Sequence, residues 1–169
     1  SSELLQIVER LVTSGDSDAR ETRRKAMDMI GPDGADGLTR IVMDYVTSGD
    51  CDARETRRRA LKKLGEYRCS AELVQIVTSV VTSGDSDARE TRRNALDMIG
   101  PDAVDGLVEI VIDYGTSGDC DARETRRKVL RKLGEFGCRH ELEYIAERFA
   151  RSNDCDAKEC RRMALEMLR

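Results

Sequence analysis

The chain has 169 residues, a formal net charge of −4 and 37% charged residues, but only 4% aromatics and two Pro. It is long enough for a substantial core. Its acidic balance argues against a general nucleic-acid binder, whose footprint is a net basic face, and no apolar run approaches a membrane span or a signal segment. A charge-rich, aliphatic, Pro-poor composition points to helices and to a soluble, cytoplasmic-type protein, expected to be a monomer. The chain opens Ser1-Ser2 rather than on Met, as expected of a trimmed or processed recombinant product.

One phrase organises the chain. TSGDSDARETR begins at Thr13 and returns almost unaltered at Thr47, Thr82 and Thr116, with a diverged copy from Arg151. The spacing divides residues 1–169 into five units of one tandem-repeat domain, approximately 1–31, 32–66, 67–100, 101–135 and 136–169. Alternate units match best: residues 1–69 laid over 70–138 agree at about three quarters of positions. A repeat period in this range marks a solenoid or related array.

Each unit opens with one apolar stripe: Leu4, Ile7, Val8, Leu11; then Leu38, Ile41, Val42, Tyr45; then Leu73, Ile76, Val77, Val80; then Leu107, Ile110, Val111, Tyr114; and Leu142, Ile145, Ala146, Phe149. The i, i+3, i+4, i+7 spacing predicts an amphipathic helix A. Gly15, Gly49, Gly84 and Gly118 are expected to end it in a left-handed C′ conformation. A second helix, B, is then expected to start with Asp18, Asp52, Asp87, Asp121 and Asp156 as caps. Each precedes a Glu by three residues, in the manner of a capping box. Helix B carries its own stripe, Ala19, Thr22, Ala26 and Ile30 in the first unit and Ala53, Thr56, Ala60 and Leu64 in the second. Gly31, Gly65, Gly100 and Gly134 are expected to terminate it, with Asp33 or Asp102 capping the next helix A. Ten helices in five hairpins predict an all-α fold, a right-handed or gently twisted α-solenoid.

Thr22 to Gly31, Thr-Arg-x-x-Ala-x-x-Met-Ile-Gly, resembles the second helix of a HEAT repeat, and Asp102 to Leu107 resembles the opening of its first. The resemblance implies B helices on a concave face and an Asp–Arg ladder between neighbours. Ser17 or Cys51 stands at the usual ladder Asp, so a shifted ladder from Asp18 to Arg24 is expected. The near-identity of the units also looks like a computationally designed helical repeat protein, a scaffold with no natural ligand. The alternative is a natural HEAT-like adaptor that binds a protein or peptide on its concave face.

The sharpest candidate for a binding stripe is Arg24, Arg58, Arg93, Arg127 and Arg162, once per unit on helix B. Such a row suits phosphates or acidic peptides. The plainer reading is a solvated, salt-bridged face, since each unit places a Glu three residues before this Arg, and no aromatics interleave to stack bases. Arg23, Arg57, Arg92, Arg126 and Arg161 sit beside the buried stripe, where pairing to an Asp of the same or the next unit is expected. His140 is a lone histidine, read as a surface substitution. Six cysteines recur at repeat positions too far apart to bridge, so free thiols are expected; Cys120 against Cys155 or Cys160 is the pair to check. No catalytic constellation, metal-ligand spacing or phosphate loop is legible. The chain is therefore expected to be no enzyme and to need no cofactor. Glu9-Arg10 and Glu147-Arg148 stand where the third unit has Thr78-Ser79, and are read as polar caps of the array.

Overall fold

The structure, a computed structural model, describes residues 1–169. It is all-helical, with ten α-helices: α1 (Ser2–Leu11), α2 (Ser17–Met29), α3 (Ala35–Asp44), α4 (Cys51–Glu66), α5 (Ser70–Ser79), α6 (Ser86–Met98), α7 (Val104–Tyr114), α8 (Cys120–Glu135), α9 (Arg139–Arg148) and α10 (Cys155–Met167). Single 3₁₀ turns at Pro32–Gly34 and Pro101–Ala103 lead into α3 and α7. No helix is long and apolar enough to cross a membrane.

The chain forms two compact units. The first is Ser1–Val80 with Asp85–Ile99 and holds three hairpins, α1–α2, α3–α4 and α5–α6. The second is Val81–Gly84 with Gly100–Arg169 and holds α7–α8 and α9–α10. Inside each unit, A helices pack on A helices and B on B, the stacking of a helical solenoid. The stripes read from sequence form the seams: Leu38, Ile41, Val42, Leu73, Ile76 and Val77 are buried in the first unit, and Leu107, Ile110, Val111, Leu142 and Ile145 in the second. Thr22 departs from its stripe. It is exposed, whereas Thr56, Thr91 and Thr125 are buried, because α2 has no preceding B helix against it.

The helix starts differ from expectation. The caps are Asp16, Asp50, Asp85, Asp119 and Asp154, two residues earlier than expected, each accepting from the amide of the Ala three residues on at 2.9–3.1 Å. Both Asp positions satisfy a start signal in sequence. The earlier one wins because its backbone is extended (φ −66°, ψ 136° at Asp16) and its carboxylate reaches the third helical amide. That releases Asp52, Asp87 and Asp156 for another role. Neither Asp33 nor Asp102 caps a helix A, since α3 and α7 follow Gly34 and Ala103 without a side-chain cap. The Asp33 carboxylate instead accepts from the Ser1 hydroxyl at 2.7 Å.

The helix ends also differ. Positive φ occurs only at Arg68 (56°) and Gly137 (68°), so Gly15, Gly49, Gly84 and Gly118 are not left-handed. An arginine takes over the role expected of those glycines. The longer α4 and α8 run through Gly65 and Gly134 and close in Schellman motifs. The Cys69 amide donates to Leu64 O at 2.9 Å and the Arg68 amide to Gly65 O at 3.1 Å; Cys138 to Leu133 O (3.0 Å) and Gly137 to Gly134 O (3.1 Å) repeat the pattern. Gly65 and Gly134 are small because a neighbour lies on them: a Cβ at either would meet the side chain of Met98 or Met167 from the next B helix.

Candidate functional site: the arginine ladder

In α2, α4, α6 and α8 three arginines at i, i+3 and i+4 share one face, and in α2, α4 and α8 that face meets the next B helix of the same unit. Between α2 and α4, Arg20 Nε donates to Asp52 Oδ1 at 2.7 Å and its Nη2 to Oδ2 at 3.2 Å. Arg23 Nη2 reaches the same Oδ1 at 3.2 Å, and Arg24 donates to both Glu55 oxygens at 2.6 and 2.8 Å. The pattern recurs between α4 and α6. Arg54 is bidentate to Asp87 (2.8 and 3.1 Å), Arg57 joins it at 3.0 Å, and Arg58 is bidentate to Glu90 (2.7 and 3.0 Å). Between α8 and α10, Arg123 and Arg126 converge on Asp156 and Arg127 is bidentate to Glu159. The expected ladder from Asp18 to Arg24 is therefore corrected. At these three junctions the Asp, Asp52, Asp87 or Asp156, faces the first and second arginines of the repeat before it, and the third arginine takes the Glu.

The middle arginine does two jobs. Arg57 Nη1 donates to Tyr45 O (3.0 Å) and Ser48 O (3.2 Å), the carbonyls at the end of its own helix A, while Nη2 holds the neighbour's Asp87. Arg23 does this for Leu11 O and Ser14 O, and Arg126 for Tyr114 O and Ser117 O. A guanidinium at a helix C-terminus satisfies orphan carbonyls and faces the negative end of the dipole, so no left-handed glycine is needed there. These arginines are at most 1% exposed. Such burial is tolerable only with a counter-charge; Nη1 and Nη2 of Arg57 and Arg126 are filled, whereas their Nε is buried without a hydrogen-bond partner. The last repeat shows the condition: Arg161 has no following repeat to supply an Asp, and it is exposed.

The carboxylates register the same geometry. Hydrogen bonds from Arg20, Arg54 and Arg123 hold Asp52, Asp87 and Asp156 below the ordinary carboxylate range, against the opposing effect of burial. Glu55 is lowered to about 2, chiefly by the hydrogen bond from Arg24, and Glu90 and Glu159 are lowered by Arg58 and Arg127.

The expected stripe thus resolves by residue. Arg24, Arg58 and Arg127 are engaged with the next repeat's Glu, and Arg93 lies exposed at the equivalent position of α6. Arg162 pairs only within its own helix, with Glu166 at 3.0 Å. The expected pairing of Arg23, Arg57 and Arg126 with an Asp of the next unit is found, at Asp52, Asp87 and Asp156, the residues expected as caps. The signal was there in an Asp recurring 29–33 residues after each Arg, but the same Asp also fits a cap.

Other candidates are scattered. His140 is exposed, beside Glu141, Tyr144, Val108 and Glu109 on a shallow groove between α7 and α9. All six cysteines are free, and burial pushes the Cys160 thiol up to about 11. Asp119, Cys120 and Asp121 bring ligand atoms within 4.8 Å of one another, but the Asp119 carboxylate is already the cap of α8. A groove of about 240 Å³ runs between α4 and α6, with Leu61, Met98 and Asn94 beside the Arg58–Glu90 pair. Glu9 lies 3.8 Å from Arg40 of α3, so it faces the next repeat and caps no outward end.

The stacked hairpins and their repeated junctions define an all-α helical repeat protein. Compared with protein-family models, curated proteins and solved structures, the chain matches none.

Proposed function

We propose that this chain is a designed or idealised HEAT-like helical repeat scaffold, with no natural ligand and no catalytic activity. The observation that carries this reading is the use of the candidate arginines. Arg24, Arg58 and Arg127 each give Nε and Nη2 to both oxygens of a neighbouring carboxylate, so their charge serves the junction between repeats. Near-identical units with the same Asp cap in every helix B agree with it, since idealised geometry repeats one solution. The test is a far-UV circular dichroism melt with and without reductant. An idealised scaffold keeps its helix signal beyond about 90 °C in both; a cooperative transition at about 45–65 °C overturns the reading.

The groove between α4 and α6 favours a second reading, an adaptor for a protein or peptide on the B-helix face. Its apolar floor at Leu61 and Met98 and its charged rim suit an extended peptide. Selection of displayed peptides on the folded chain tests it. Selected peptides whose binding is lost in Leu61→Glu support an adaptor, and none selected supports the scaffold.

A further inference from the structure

The first and last B helices carry the two halves of the junction that the interior repeats complete. On α2, Asp18 and Glu21 stand at the positions of Asp52 and Glu55, and both are exposed. Asp18 has no partner, and Glu21 has only Lys25 of its own helix at 2.9 Å. Thr22 and Met29 are exposed beside them. Met29 is 69% exposed at the position where Met98 and Met167 lie over a glycine of the preceding helix. On α10, Lys158, Arg161 and Arg162 stand at the positions of Arg123, Arg126 and Arg127. All three are exposed, and only Arg162 has a partner, in its own helix. Leu165 is 40% exposed where its equivalents Met27, Leu61 and Leu130 are buried.

One end thus presents carboxylates and a bare Met, the other cations and a bare Leu, in the register that pairs between α2 and α4, α4 and α6, and α8 and α10. We infer that a second copy of this chain docks its α10 face onto the α2 face of the first, head to tail. Arg161 then meets Asp18 and Arg162 meets Glu21, as Arg126 meets Asp156 and Arg127 meets Glu159. Leu165 is covered in the process. The contact joins two different faces, so it is heterologous and can repeat from copy to copy. It is weaker than an interior junction on two counts. Lys158 replaces a bidentate arginine, and Arg169 stands where Gly65 and Gly134 receive a methionine. The monomer expected from composition is therefore the dilute limit of a reversible equilibrium. The contact belongs with weak, transient interfaces.

Sedimentation velocity on the 169-residue chain tests this, from roughly 10 µM to 1 mM and at about 20 mM and about 500 mM salt. The weight-average sedimentation coefficient should rise with concentration at low salt and rise less at high salt. Asp18→Arg with Glu21→Arg makes both ends basic, and Arg161→Glu with Arg162→Glu makes both acidic. Each variant alone should stay monomeric, and an equimolar mixture should associate again. The sites are exposed, so unchanged circular dichroism certifies the fold of both variants. An unmodified chain that stays monomeric to the highest concentration overturns the proposal, and so does a charge-reversed variant that associates on its own.

Discussion

Arg57 Nη2 donates to Asp87 Oδ1 at 3.0 Å between α4 and α6, with the arginine 1% exposed and the aspartate 9%. The same guanidinium closes the end of α3 through Tyr45 O and Ser48 O, so one side chain joins a helix terminus to the next repeat. Asp87→Ala should cost about 3–5 kcal/mol, because it strands a buried cation. Arg57→Met with Asp87→Ala should cost at least about 1.5 kcal/mol less than the two single losses added together. Urea denaturation of the four proteins in a double-mutant cycle measures both numbers.

Arg68 and Gly137 hold the same left-handed position in the two Schellman motifs, φ 56° and 68°. An L side chain there costs roughly 1 kcal/mol, so Arg68→Gly should stabilise by up to about 1 kcal/mol. Gly137→Ala should lose a similar amount, and for conformational reasons alone, since a Cβ there meets nothing within 4 Å. Thermal midpoints should move in opposite directions.

Acid should loosen the junctions in a defined window. Asp52, Asp87, Glu90 and Glu159 titrate below their usual range in the folded chain, and Glu55 at about 2. In the unfolded chain they return to about 4–4.5, so there the unfolded state binds more protons. Their stabilisation is fully present above about pH 4.5 and is lost as pH falls toward 2. Denaturant midpoints should be flat from neutral pH to about 5 and then drop, and Glu55→Gln should shallow that slope while lowering the midpoint at pH 7.

Gly115 lies under Phe149. A Cβ at Gly115 would meet Phe149 Cζ and would come within 2.7 Å of the Val111 carbonyl oxygen. The second repeat carries Val46 here, with the smaller Val80 at the position of Phe149. Gly115→Val should therefore overpack the second unit and cost about 1–3 kcal/mol. Adding Phe149→Leu should recover part of the loss, read as a partial return of the melting midpoint.

The five-fold phrase and the i, i+3, i+4, i+7 stripes made the repeat count, the ten helices and most core positions legible in the sequence. Those features follow from local periodicity, which needs no knowledge of neighbours. Asp16 caps α2 with no B helix before it, so local geometry selects the earlier Asp. Tertiary structure decided what the later one does: Asp52, Asp87 and Asp156 bridge to the repeat before them, whereas Asp18 stays exposed. It also decided that buried arginines close the A helices where glycines were expected, because a guanidinium can enter the core only when the next repeat brings its carboxylate. Arg161, identical in sequence position and exposed in the structure, marks that dependence on a neighbour.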